Sequence, residues 1–222
     1  MRKYITINEK QLSRIISESI HTLIREWNGI EEVSDETDLA REAIKKGFKY
    51  IAYHNSDEQN LIFFDIRKTS GIHFGSLKAA TQRGKDRNWY YGKQNWTKKY
   101  FLKIDNPLLV EKDFDWECSH IWDDADEEYM QQWRENEDFY TYLIQKGLAD
   151  EGSYPYEDIS NILKRNGYDA VIYKNECEDA GNYSVAMFNP NNIKLAEQTY
   201  DNSNNPIPLE QRFNTSIKDV RY

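Results

Sequence analysis

Lys49-Tyr50-Ile51-Ala52-Tyr53-His54-Asn55-Ser56, followed by Gly71-Ile72-His73-Phe74-Gly75-Ser76, is the pair of segments on which the fold turns. The first is aromatic and apolar up to a histidine, which predicts a strand over Lys49 to His54. The second leaves the turn Thr69-Ser70-Gly71 and enters a helix that Ser76 can cap, running to about Arg83. A histidine at a strand end can hydrogen-bond a ribose hydroxyl. A small residue after it leaves backbone amide and carbonyl open to a carboxamide, and a nearby aromatic can stack on a flat ring. His54, Asn55, Ser56, Gly71, His73 and Phe74 are therefore the candidate ligand-binding residues, although each alone also fits a purely structural role.

Outward from these segments, Asn8 can cap a helix to about Glu26, with Leu12, Ile15, Ile16, Ile20, Leu23 and Ile24 on one face. That face needs cover, from this protein or from another. Trp27-Asn28-Gly29 ends the helix, and Glu31 to Asp38 reads as an acidic linker. Ser34 or Asp35 then caps a short helix through Lys46. Downstream, Leu61 to Asp65 is extended and Tyr100 to Ile104 is a strand ended by Asn106-Pro107. Trp122 to Gly147 is helical, and Tyr156 to Arg165 is a helix closed by Asn166-Gly167. Ala170 to Tyr173 and Tyr183 to Phe188 are strands around the polar turn Asn175 to Asn182, and the tail from Gln198 to Tyr222 is polar and irregular. Helices and strands come in runs without the alternation of a parallel α/β sheet. The expected class is α+β, with a mixed or antiparallel sheet. Residues 1–48 form a helical segment and linker, and residues 49–222 form one domain.

Composition agrees with a chain that buries a core: 39% of its 222 residues are hydrophobic and 14% aromatic. No apolar run is long enough to span a bilayer, and Met1 to Ile7 lacks the apolar block of a signal peptide, so a cytoplasmic protein with no membrane partner is expected. Two cysteines, Cys118 and Cys177, make no disulfide framework and read as reduced, partly buried thiols. Cys118-x-His120 offers half of a metal-ligand set with no second pair after it, so no metal is expected.

The net charge of −9 is unevenly spread. Arg83 to Lys103 holds seven basic residues against Asp86, interleaved with Trp89, Tyr90, Tyr91, Trp96 and Tyr100. That mixture suits single-stranded nucleic acid, but it suits equally a surface loop whose aromatics fold inward, and the negative total favours the loop. Glu111 to Asp138 holds twelve acids and reads as a solvated helical face.

The order of several blocks resembles the ADP-ribosyltransferase-like domain of phage and mobile-element polyvalent proteins, from about Tyr50 to Tyr222. Tyr53-His54-Asn55-Ser56 is similar to that family's opening Tyr-His-Gly-Thr. Phe63-Phe64-Asp65, Gly71 to Ser76 and Ala79-Ala80 resemble its second block. Ile104 to Leu108 resembles its strand ending in Asn-Pro-Leu, with Trp116 after it. Asn166 to Tyr173 resembles its Gly-Tyr-Asp block, Ser184 to Lys194 its late strand, and Asp219-Val220-Arg221-Tyr222 its frequent finish. The resemblance implies a split sheet that clasps NAD as substrate, with transfer of ADP-ribose and loss of nicotinamide. It implies that His54 holds a ribose, that the residue after it clamps the carboxamide through its backbone, and that second-block aromatics stack on nicotinamide.

In the wider family a late-strand Glu stabilises the oxocarbenium-like transition state. Here that position falls at or near Ser184, with Glu176 and Glu178 just upstream, so these three are the candidate catalytic residues. His73 stands where the family has Tyr, Asn55 where it has Gly, and Asn192 where it usually has Gln. Two functions follow. One is a mono-ADP-ribosyltransferase acting on a host protein or nucleic acid in a bacterial cytoplasm. The other is a non-catalytic interaction module, such as a phage structural or injected protein, that binds a protein partner through the cleft or the N-terminal helix.

Overall fold

The computed structural model describes residues 28–65, 71–92, 94–114, 139–150 and 159–222. The expected amphipathic helix from Asn8 to Glu26, Cys118, His120, and Trp122 to Asp138 of the expected long helix lie outside them. The described chain is mixed α+β, with two four-stranded sheets and four α-helices.

The first sheet carries β1 (Glu31–Glu32), β2 (Tyr50–Ser56), β4 (Trp96–Leu102) and β8 (Ile193–Leu195), in the order β1-β2-β4-β8 and antiparallel throughout. The second carries β3 (Ile72–Phe74), β5 (Pro107–Val110), β6 (Ala170–Lys174) and β7 (Tyr183–Met187), in the order β3-β7-β6-β5. Only β5 and β6 run parallel. The Lys49–His54 and Tyr183–Phe188 segments therefore fall in different sheets. Among the described residues, backbone hydrogen bonds join the sheets at two places. Tyr53 and Gly75 exchange both backbone hydrogen bonds, at 2.8 and 3.0 Å. Ahead of β1, the Asn28 carbonyl accepts from the Tyr183 amide at 2.7 Å. Gly29 makes the second contact feasible, because a Cβ there would lie 2.3 Å from the Tyr183 carbonyl oxygen.

One core lies between the sheets: Tyr50, Ala52, Tyr100, Leu102, Ile193 and Leu195 meet Ile72, Phe74, Ala170, Ile172, Val185 and Met187. The alternate residues Val171, Tyr173 and Ala186 face the other way, towards α3 (Phe139–Gln145) and α4 (Ile159–Arg165). On the far side of the first sheet, Ile51 and Phe101 pack with Phe48, Phe213 and Ala43 of α1 (Asp38–Lys45). Residues 28–48 are thus built onto the same body as the sheets. The stretch expected as an acidic linker supplies β1, and the cap of α1 is Thr37, whose side chain accepts from the Ala40 amide, in place of Ser34 or Asp35.

The second helix, α2 (Leu77–Tyr91), is capped by Ser76 as expected but continues two turns past Arg83, to an αL cap at Gly92. The basic aromatic stretch is therefore the end of a helix and a strand, because β4 begins at Trp96. Gly84 lets the helix lie close, its position taking up the Asn55 and Asn95 side chains at 2.4 Å from where a Cβ would stand. Leu61 to Asp65 forms no strand, and Pro107–Val110, read as a break, pairs with β6. The tail is irregular but anchored: Ile207, Arg212, Phe213 and Val220 are buried.

Candidate functional site

The junction of the two sheets gathers most of the chemistry. His54, on β2, stands among Phe64, Phe74 and Tyr100, with ring centroids 5.1, 5.3 and 6.4 Å away. Its Nδ1 lies 2.7 Å from the His73 carbonyl oxygen. A carbonyl only accepts, so Nδ1 carries the proton and donates, and in the neutral ring Nε2 is the acceptor nitrogen.

Strand alternation turns His73 away from Phe74, so the two histidine rings occupy opposite faces of the junction. His73 Nδ1 is 3.0 Å from the Tyr173 hydroxyl. Burial, then the charges of His54 and Arg83, hold the His73 imidazole down to a pKa of about 3. The same environment pushes the Tyr173 phenol well up, through burial first and then the carboxylates of Asp113 and Glu178. Both groups are neutral near pH 7.

Beside this pair lies Ser184 of β7, opposite Tyr173 in the β6–β7 register and 3% exposed. Gly75 admits it, since a Cβ there would stand 2.8 Å from its Oγ. Asn175 donates through Nδ2 to Ser184 Oγ at 3.2 Å and to Glu178 Oε2 at 2.9 Å. Arg83 of α2 reaches Glu178 Oε1 at 3.7 Å. The polar row therefore runs from His73 through Tyr173, Ser184, Asn175 and Glu178 to Arg83. Next to it, Asp179 accepts from Ser76 Oγ and Lys78 Nζ, both at 2.6 Å, and from Asn182 Nδ2 at 2.8 Å. Burial raises its pKa, but these bonds together outweigh that and leave the carboxyl below its usual value.

The expected site residues thus separate into groups. His73, Ser184 and Glu178 lie in the row, and His54 is tied to it through the His73 backbone. Glu176 is exposed, its amide donating to Asp113 Oδ2 at 3.2 Å. Phe74 is 2% exposed and packs in the core, so its ring has no open face for a ligand. Asn55 points to the opposite face from His54, where Nδ2 donates to Asn95 Oδ1 and Thr97 Oγ1 at 2.9 and 3.0 Å. Ser56 Oγ accepts the Glu58 amide and closes the turn after β2. Gly71 packs against Ala186 and Phe188. Cys177 is exposed and not partly buried as expected.

The comparisons with protein-family models, with curated proteins and with solved structures found no match.

Tyr173, Asn175, Asp179 and Arg83 are the residues that sequence alone passed over. Tyr173 read as part of an apolar strand and Asn175 as the start of an exposed turn. No spacing signal marks an asparagine whose amide closes a turn from within. Among the described residues, no group of three or more His, Cys, Asp or Glu side chains is placed to hold a metal ion, and no helix is long and apolar enough to cross a membrane.

Proposed function

We propose that this body is an ADP-ribosyltransferase-like domain whose sheet junction takes NAD as substrate and passes ADP-ribose to a host macromolecule. The observation that carries the reading is the meeting of three strands. β2, bearing the first-block His54, bonds to Gly75 at the end of β3. β3, bearing the second-block His73, pairs with β7, bearing Ser184. This order of strands puts His73 and Ser184 on one face of the junction and His54 on the other, tied together through the His73 backbone, and in the proposed reading NAD spans the edge between them.

In this reading His54 Nε2 accepts from a ribose hydroxyl. The His73 ring, kept neutral, offers its face to nicotinamide in the role first expected of Phe74. The acid is Glu178: its carboxylate is half-buried and held by Asn175, which bridges to Ser184. As nicotinamide leaves with the electron pair of the glycosidic bond, positive charge develops on the ribose, and a fixed carboxylate stabilises it. Arg83 stands 3.7 Å from the other carboxylate oxygen of Glu178. The acceptor meets the domain from the side of α2, where Lys78, Arg83 and Lys85 lie. A phage or mobile element acting in the cytoplasm of its bacterial host, or from its virion, is the setting that the resemblance suggests.

Calorimetry with NAD tests this directly. The intact chain is expected to bind. His54→Ala should weaken binding by about threefold to tenfold, the loss of one neutral hydrogen bond. Glu178→Gln should lower turnover with little change in NAD affinity, because the carboxylate acts in the transition state. Glu176→Gln should change neither. Absence of NAD binding at millimolar ligand would overturn the enzyme reading. The non-catalytic interaction module, which Ser184 in the late acid position favours, would then stand in its place.

A further inference from the structure

Away from the sheet junction, the C-terminal end of α1, the residue after β4 and the tail enclose an open cavity of about 370 Å³. It is lined by Lys46, Lys103, Arg212, Gln211, Asn214 and Thr215, with Glu210 and Phe213 completing the wall. Three cations face one carboxylate here, in a chain whose net charge is −9. Such a local reversal marks a place where an anion is preferred.

The cations are poorly matched by the protein itself. Lys46 Nζ reaches Glu42 only at 3.8 Å, and Lys103 Nζ reaches Asp105 only at 3.9 Å, both near the limit of an ion pair. Arg212 is 2% exposed, and its two hydrogen bonds go to neutral acceptors: the Glu197 carbonyl at 3.0 Å and the Leu195 carbonyl at 2.7 Å. Its Nε–H is buried without an acceptor. A buried guanidinium with an unused donor and no carboxylate bonded to it is costly unless something anionic approaches.

We infer that this cavity is a binding site for a phosphate group, free or carried on a small molecule. The two lysines swing onto the phosphate oxygens, the side chains of Asn214 and Thr215 complete the shell, and the Arg212 guanidinium stands buried in the wall as a fixed positive charge with no carboxylate bonded to it. Ammonium donors and a guanidinium charge around one oxyanion are the usual chemistry of phosphate recognition. The cavity volume leaves room for a sugar or a second phosphate beside the first.

The site does not share residues with the NAD cleft, so the two are separable. Calorimetry of the full chain with inorganic phosphate, at constant ionic strength set with sodium chloride, reads it. One saturable site is expected, with affinity falling as salt rises. The double variant Lys46→Gln/Lys103→Gln removes two partly exposed charges and should weaken phosphate binding by about tenfold or more, the loss of at least one charged hydrogen bond. Ribose 5-phosphate in place of inorganic phosphate tells a free anion from a carried one by the tighter partner. The same double variant should bind NAD as the parent chain does. No saturable phosphate heat, or equal phosphate binding by parent and double variant with an unchanged circular dichroism spectrum, would overturn the site.

Discussion

His73 is the residue whose surroundings say most. Its imidazole is held neutral by burial and by the nearby His54 and Arg83, with a folded-state pKa of about 3 against its usual 6.5. Between those two values the unfolded chain binds a proton that the folded chain does not. Stability therefore falls as pH falls through that window, and His73 contributes no slope above pH 6.5. Carboxylates titrate in the same range, so the informative quantity is a difference. His73→Gln keeps a group able to bond the Tyr173 hydroxyl and removes the titrating proton. Its urea midpoint should fall less steeply than the parent's from about pH 6.5 down to pH 3. Parallel profiles would show that His73 takes up its proton freely in the folded state. At this scale the placement of His54 on a strand and of His73 just ahead of a helix was legible. Their facing was not. Asn55 looked like a ligand contact because adjacent sequence was read as adjacent space, whereas β2 turns it to the face opposite His54, and Phe74 shares the face of His54 but is buried in the core.

At the scale of elements, the turn between β6 and β7 decides the site. Asn175 organises it from inside. Its Oδ1 accepts the Cys177 and Asp179 amides at 3.1 and 2.9 Å, and its Nδ2 serves both Glu178 and Ser184. Backbone bonds from Asn175 to Asn182 at 2.7 Å and from Gly181 to Asn175 at 3.0 Å close the loop around it. Asn175→Ala would strand two amide donors and two acceptors at once. The expected cost is about 2–4 kcal/mol in chemical denaturation, since each buried orphan costs about 1–3 kcal/mol and water recovers part of the sum. A cost below about 0.5 kcal/mol would show that water replaces the side chain, and that Glu178 is not held by it. The sequence marks this turn only as polar, which is equally the signature of a solvated hairpin tip. Strands with a clear apolar run, such as β2, β6 and β7, were legible to within a residue or two. β5 and the second half of α2 were not. A proline ended the first on paper, yet it begins a strand whose first residue needs no ladder donor. The second lacks an apolar stripe because Asn55 and Asn95 pack on Gly84 there.

At the scale of the whole molecule, the polar tail acts as a strap over the first sheet, and Lys194 is its fastening. The Lys194 side chain is fully buried on β8, and its Nζ donates to the Ile217 carbonyl at 2.7 Å and the Asp219 carbonyl at 3.0 Å. Three more bonds hold the same strap: Leu195 N to the Val220 carbonyl at 2.8 Å, Val220 N to the Ile62 carbonyl at 2.8 Å, and Thr199 Oγ1 to the Arg221 carbonyl at 2.8 Å. Val220, drawn in by them, joins the core between the sheets. Burial lowers the Lys194 pKa to about 8, with Asp219 opposing and Arg212 reinforcing the shift, so the ammonium stays charged at neutral pH. Lys194→Met fills nearly the same volume without a donor. Replacing a buried charge by an apolar group is often neutral when both partners go. Here the two carbonyls remain, fixed by the chain that bears them. The variant should lose about 2–4 kcal/mol of stability. Amide exchange should speed up first from Ile217 to Tyr222 and at Leu195, while β6 and β7 keep more of their protection, because the hydrogen bonds that fasten the strap to a strand go to β8 of the first sheet. Uniform acceleration across both sheets would mean that the tail belongs to the global folding unit. Unchanged exchange would mean that the two carbonyls find other donors.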